Sequence, residues 1–394
     1  MTHSSTDDLF SRKVTATLAD LVSINSINPT LSPDGAGEAE VAAYIERFFS
    51  GTATEITRQP VFEGRDNIIC RFTGQDPSRT LIFEAHMDTV SWDLSRPDAL
   101  LPVVRGGSLY GRGACDTKGS MAAMLWAIRT LVEEDALPVN VVFIGAVDEE
   151  YRARGIYDLV KTGIRADGAV VGEPTGLRIV VAHKGCYRFS VVTHGKAVQS
   201  SRPEKGVNAI YKMVDVVNAF RARLEPEHRK STHELVGGPT MNIGIIAGGK
   251  EVNTVPDRCS IAVDRRVIPG EGRDEVEREF DGILEELRAA DPLMRVEVEN
   301  RFFDPPLSTP KTAGIVSAAR AACDTILGSS TVEGVTYGSD ASKLSSAGIP
   351  SIVLGPGDIV NAHSPSEFVS LDEVVSAARI YREIIRNFRS EKTV

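Results

Sequence analysis

Residues 141–150 read VVFIGAVDEE: an apolar run rich in β-branched residues that stops at Asp148, Glu149 and Glu150. A run of this length and composition predicts a buried strand of a parallel sheet. Three adjacent acids at its carboxyl end repel one another. At roughly 6 Å and an effective dielectric near 20, each neighbouring pair costs about 3 kcal/mol when both ionise. Something elsewhere in the chain must offset that repulsion.

On either side of this run, strands and helices alternate. Helices are predicted over 8–25, 38–50 and 119–132, the last with Met121, Met124, Leu125, Ile128 and Leu131 on one stripe. Strands are predicted at 66–73, 80–85 and 168–174, with a short helix near 154–163. This alternation argues for an α/β domain with a mostly parallel sheet. The texture changes after Lys184. From "YRFSVVTHG" onward the order is strand, helix (207–223), two strands ("TMNIGII" and "RCSIAVDRRV"), helix (272–290), strand (294–300). That is the split β-α-β of ferredoxin-like domains. The α/β pattern then resumes with a helix at 310–328, the strands "TVEGVTY" and "PSIVLGPG", and helices near 341–347 and over 371–389. The expected organisation is an α/β domain made of 1–185 and 304–394, interrupted by an α+β domain at 186–303.

With 394 residues the chain is long enough for two cores, and 42% hydrophobic with 25% charged residues is ordinary for a globular protein. A formal net charge of −10, with no basic cluster, argues against nucleic acid and anionic membrane as partners. No segment reaches 18 uninterrupted apolar residues, and "MTHSSTDDLF" lacks the apolar core of a signal peptide. The five cysteines are odd in number, scattered and never in C-x-x-C pairs, which fits reduced thiols in the cytoplasm.

Other predicted strand ends carry residues of the same kind as the opening acids. "TLIFEAHMDTV" ends at His86 and Asp88, "YGRGACDTKGS" places Asp116 in a glycine-rich loop before a helix, "VVGEPT" presents Glu173, and "GDIVNAHSPSEFV" presents His363. Taken singly, each has a plain structural reading: a turn, a helix N-cap, a solvated strand end. The glycine-rich loop lacks the G-x-x-x-x-G-K-[ST] spacing of a phosphate loop. Taken together, two imidazoles and several carboxylates beyond the carboxyl ends of α/β strands suit a pair of divalent ions, zinc first, with cobalt or manganese as alternatives. Their positive charge would offset the repulsion among the three acids.

The motifs "HMDTV", "GRGACDTKGS", "DEE", "GEPT", "NTVPD", "DRRVIPG" and "NAHSPSEF", in this order, resemble the M20 family of metal-dependent peptidases and amidohydrolases. The likeness is greatest to its acetylornithine deacetylase and succinyl-diaminopimelate desuccinylase branch. It implies a di-metal aminopeptidase-like catalytic domain with an inserted ferredoxin-like lid and dimerisation domain. By resemblance, His86 and Glu173 hold one metal, Glu150 and His363 the other, and Asp116 bridges them, often with a cis peptide after it. Asp88 would hydrogen-bond His86 and fix its tautomer. Glu149 would be the general base for a water bridging the metals. The expected substrate is an N-acyl amino acid, or alternatively a dipeptide or carboxypeptidase substrate, and the expected assembly is a homodimer through the inserted domain.

Substrate contacts by resemblance are Asn253, Arg266 and the backbone donors of Gly355 and Gly357. Arg266 would fork onto a carboxylate or pair with a nearby acid. Lys184 is either a further anion contact or a solvated lysine at the domain hinge. One position departs from the family: Gln199 stands in "GKAVQSS" where relatives carry a lid histidine. Glutamine donates a neutral hydrogen bond but cannot be cationic. It substitutes at a loss, or another residue such as His194 or Arg202 takes over, or the substrate is atypical; a vestigial binding protein is the outer alternative.

Overall fold

The apolar run forms the strand Val139–Ala146, buried along nearly its whole length, in a computed structural model that describes residues 2–93 and 100–388. It pairs in parallel with Asp76–His86 on one side and antiparallel with Arg65–Phe72 on the other. Asp76–His86 pairs in parallel with Gly168–Val171, which pairs in parallel with Ser351–Val353. The sheet is therefore parallel at its centre and antiparallel at its margins. Glu55–Phe62 and Arg65–Phe72 form a hairpin, closed by Glu63 and by Gly64 at φ 70°, and Val353 pairs antiparallel with Val180. The mostly parallel expectation holds for the strands separated by helices. It fails at the margins, and in the hairpin the two-residue connection makes that unavoidable, because a parallel return needs a crossover.

Helix Gly119–Glu133 is buried on almost every side, not along one stripe. Ala122, Ala123 and Ala127 fill positions where a larger side chain would hold neighbours off, and an all-round apolar helix belongs in a core. It packs against Leu371–Asn387 and Thr2–Ser23, and Leu371–Asn387 also packs on Gly314–Leu327. The last helix is capped by the Ser370 hydroxyl, which accepts from the Glu373 N–H at 3.4 Å.

The register places the site. His86 is the direct partner of Ala146, so the two central strands end level and deliver Asp88 and Asp148–Glu150 side by side. Glu84 is paired with Val171, so Glu173 emerges from the next strand at the same edge.

The chain divides into two compact units. One takes residues up to Val181, Thr309–Glu333 and those from Ser339 on; the other takes Ala182–Ser308 with Gly334–Gly338. The segment 334–338, of which 334–337 is predicted from sequence as part of a returning strand, is counted with the second unit, where a Cβ on Gly334 would meet Leu235 at 2.7 Å. The second unit holds a four-stranded antiparallel sheet in the order Thr240–Gly248, Arg258–Val267, Gly185–His194, Arg295–Asp304. Helices Ala209–His228 and Arg273–Ala290 share its core with Phe189, Phe220, Ile261 and Phe280. This is the ferredoxin-like arrangement. Among the described residues no helix is long and apolar enough to cross a membrane.

Candidate metal centre

All seven residues read as ligands, base or orienting acid lie in the first unit. His86 is buried, and its Nδ1 lies 2.9 Å from the backbone carbonyl of Asp88. A carbonyl only accepts, so Nδ1 carries the proton and Nε2 presents its lone pair. That lone pair faces Asp116 Oδ1 at 3.0 Å and Glu173 Oε1 at 3.8 Å. Three acceptors converge with no donor between them unless the ring is doubly protonated or a cation sits there. Asp116 Oδ2 lies 3.3 Å from Nε2 of His363, which is 3.1 Å from Glu150 Oε2. One carboxylate therefore stands between two imidazoles. The peptide after Asp116 is cis. Ligand-type atoms of His86, Asp116 and Glu150 lie within 4.8 Å of one another, as do those of His86, Glu149 and Glu173.

Without a cation the electrostatics are unfavourable. Burial, then the Asp116 carboxylate, pushes Glu150 up to about 8. Burial, then Asp116, lifts Glu173 well above the usual carboxylate range, and burial likewise raises Glu149. Burial opposes ionisation of Asp116 too, but its bonds to His363 and His86 outweigh it and hold that carboxyl low. The bonds to Asp116 and Glu150 lift His363 to about 10. Four carboxylates face two imidazoles, so with all four ionised even two imidazolium charges leave the cluster negative. Two divalent ions would neutralise four ionised carboxylates, and the donor set of nitrogen and carboxylate oxygen suits them.

Asp88 acts differently from expectation. The bond that fixes the His86 ring comes from its backbone carbonyl, with its carboxylate farther away at 3.5 Å. The carboxylate instead accepts from the backbone N–H of Glu149 at 3.1 Å and of Glu150 at 3.2 Å, holding the turn that carries both acids. Asp148 has no direct place among the ligands. It sits at φ 68°, a left-handed conformation that aspartate tolerates, and its carbonyl accepts from Arg152 and Ala153 N–H groups. Its carboxylate shares a donor with Asp88: Asn28 gives one amide bond to Asp88 at 2.9 Å and one to Asp148 at 3.0 Å. Behind it, Arg65 and Glu38 form a buried bidentate pair, and Glu38 accepts the Asp148 N–H at 3.1 Å.

Two of the expected substrate donors are already engaged. The Gly355 N–H donates to the Thr175 hydroxyl at 3.1 Å, and the Gly357 N–H donates to Glu373 at 2.7 Å. Both glycines serve packing: a Cβ on Gly355 would lie 2.4 Å from the Glu173 carbonyl oxygen. Arg266 pairs with a nearby acid, Asp264, at 2.9 Å, and Arg188 holds the other Asp264 oxygen at 2.9 Å. Lys184 is buried rather than solvated, and its ammonium donates to the Gly238 carbonyl at 2.6 Å. Gln199 bridges to Thr254, and Ser200 N–H donates to the Asn253 carbonyl at 2.9 Å, so Gln199 and Asn253 lie on adjoining segments. These four lie in the second unit.

Sequence reasoning missed Asn28, Glu38, Arg65, Arg112, Glu367 and Glu84. Arg112 and Glu367 lay inside quoted motifs. Glu84 had a visible signal, a lone acid in the apolar strand "TLIFEAH"; it is buried, and burial pushes it up to about 8.

An α/β sheet whose central strands end in converging imidazoles and carboxylates places the protein among the metal-dependent hydrolases. The model of the peptidase family M20/M25/M40 matches residues 82–387, and the chain belongs to that family. It is 31% identical over 315 residues to an acetylornithine deacetylase of Myxococcus xanthus, covering 78% of this chain and 80% of that one. It is 30% identical to an acetylornithine deacetylase of Proteus mirabilis, with 86% of each chain covered. In fold it is similar to the aminopeptidase PepT of Bacillus cereus, at a TM-score of 0.77 and 23% identity over 96% of this chain and 98% of that one. A dinuclear metal binding peptidase of Bacillus subtilis gives a TM-score of 0.72 at 18% identity, over 96% and 98% of the two chains.

Proposed function

We propose that the protein hydrolyses the amide bond of an N-acyl amino acid, in the manner of a deacetylase or desuccinylase, with two divalent cations as cofactors. The observation that carries this reading is Asp116, whose two oxygens lie 3.0 Å and 3.3 Å from the Nε2 atoms of His86 and His363. His86 and Glu173 would hold one ion, His363 and Glu150 the other, and Asp116 both; zinc suits this donor set, as do cobalt and manganese. Such ions supply Lewis acidity, polarising a carbonyl and making water a nucleophile near neutral pH.

Glu149 is the general base. It takes a proton from the attacking water and returns it to the leaving amine. The choice of Glu149 over Glu150 follows from Glu150 being the one bonded to His363. Asp88 keeps both in place through their N–H groups. In the second unit, Asn253 and Arg266, which pairs with Asp264 through its Nε, are proposed to bind the substrate carboxylate, and Gln199 to give the neutral hydrogen bond available where relatives carry a histidine. The likeness to two acetylornithine deacetylases supports the deacetylase side of the family.

The proposed assembly is a homodimer. Thr240–Gly248 is the outer strand of its sheet, and it exposes Ile245 at 65% and Ile246 at 60%, a pairing template that a second copy would cover. A monomeric mass by light scattering at micromolar concentration would rule this out. The five free, buried thiols fit a reducing compartment, the cytoplasm.

The test is a substrate panel with protein loaded with zinc, cobalt or manganese. Turnover of N-acetyl or N-succinyl amino acids is expected. Turnover of dipeptides alone would place the protein on the peptidase side. Two bound metals with no amide turned over would leave a vestigial site, the reading Gln199 invites.

A further inference from the structure

Glu367 is buried at 1% exposure and stands four residues after His363. Its Oε1 accepts two backbone N–H groups, from Cys115 at 2.9 Å and from Asp116 at 3.0 Å. Its Oε2 pairs with Arg112 Nη1 at 2.5 Å, and Arg112 is itself buried against the Trp92 ring at 4.5 Å. Arg112 also donates to the Ser364 carbonyl at 3.4 Å, and the Gly111 N–H donates to the Glu367 carbonyl at 3.0 Å. The loop carrying Asp116 and the loop carrying His363 are thus stitched together at both ends of one buried ion pair. The strand Phe368–Ser370 then continues the contact by pairing with Ser108–Tyr110.

We propose that Glu367, held by Arg112, is the positioning residue that sets the Asp116 carboxylate between the two imidazoles and couples it to His363. Asp116 has to present one oxygen to each side, which fixes the orientation of its backbone, and a carboxylate accepting the N–H of Asp116 and of the residue before it fixes that orientation directly. An ionised acceptor makes these bonds about twice as strong as neutral ones. A buried carboxylate needs a partner, and Arg112 supplies it. Removing Glu367 alone would strand the guanidinium, so the pair acts as one device. The inference rests on the two-cation reading above.

The test uses E367Q, which keeps the volume and one acceptor oxygen, and the double variant R112M/E367L, which removes both charges together. Cobalt is titrated into each metal-free protein, and stoichiometry, affinity and the visible absorption spectrum are recorded. Outer partners of metal ligands typically change affinity or activity 10- to 100-fold. We expect about tenfold weaker cobalt binding and an altered visible band in E367Q, with a larger loss in the double variant. If the double variant does not fold, E367Q decides alone. Cobalt affinity within twofold of wild type and an unchanged band in E367Q, whatever its melting temperature, overturn the proposal. Wild-type protein that binds no cobalt would instead overturn the two-cation reading, so the two failures are distinct.

Discussion

Two buried charge clusters in this molecule look alike in composition and differ in balance. In the second unit, Arg265 is fully buried and meets Glu271 through two bonds of 2.7 and 2.8 Å, with Glu279 at 3.2 Å. Its cation has its anions within hydrogen-bond reach, and the cluster closes on itself. In the first unit, Asp116, Glu149, Glu150 and Glu173 crowd two imidazoles, and protein atoms alone leave them short of positive charge. A closed cluster holds a fold together; an open one is an invitation to a ligand. The same unit contains its own control, since the Arg65–Glu38 pair beside the site is closed by two bonds of 2.6 and 2.7 Å.

The largest expected effect breaks the open cluster chemically without unloading it. Glu149→Gln should lower kcat by about 10³-fold or more, within the range assigned to general acid–base groups. Metal content by elemental analysis should stay at two per chain. Loss of metal in that variant would mean that Glu149 is a ligand and that the division of labour with Glu150 is wrong.

The closed cluster should answer in the opposite way. Arg265→Met leaves Glu271 without its cation and Glu279 with only His228 at 3.7 Å, and should cost on the order of 3 kcal/mol of stability. Denaturant unfolding measures that loss, while kcat of the folded fraction should remain at the wild-type level. A variant as stable as wild type would show that closure contributes nothing there.

A smaller effect is expected at the boundary between the two kinds of cluster. Asn28 touches no proposed ligand, but it supplies donors to both Asp88 and Asp148. Asn28→Leu should reduce kcat by about 10- to 100-fold, the usual scale for outer partners of a metal site, with KM little changed. A rise in KM at constant kcat would point to substrate binding instead.

Much of this was legible in the sequence because its signals are local. The run at 139–146 and the apolar helix Gly119–Glu133 announce themselves by composition, and the ligands stand at strand ends where α/β sites form. The strand Glu55–Phe62 was not legible: "EITRQPVF" carries a proline and leaves much of its length exposed, and it is a strand because the hairpin pairs it with Arg65–Phe72. Ile179–His183 was missed because five apolar-rich residues beside a domain change give no period to read. The supports of the site were hidden for a different reason. Asn28 meets Asp148 across 120 residues and Glu367 meets Asp116 across 251, and spacing cannot report such contacts. The expected glycine donors failed because a backbone N–H carries no label of its partner, and Thr175 and Glu373 claim these two from elsewhere in the chain.

Asn28 has one further property, written in its neighbour. Asparagine ages when the backbone nitrogen of the next residue attacks its side-chain amide, which closes a ring that reopens as aspartate. The next residue here is Pro29, whose nitrogen carries no hydrogen and is already fully substituted. The ordinary route of deamidation is therefore shut at the position where a new aspartate would set a third carboxylate against Asp88 and Asp148. Pro29 thus keeps the Asn28 amide, and with it the donor shared by Asp88 and Asp148, out of the reach of that route.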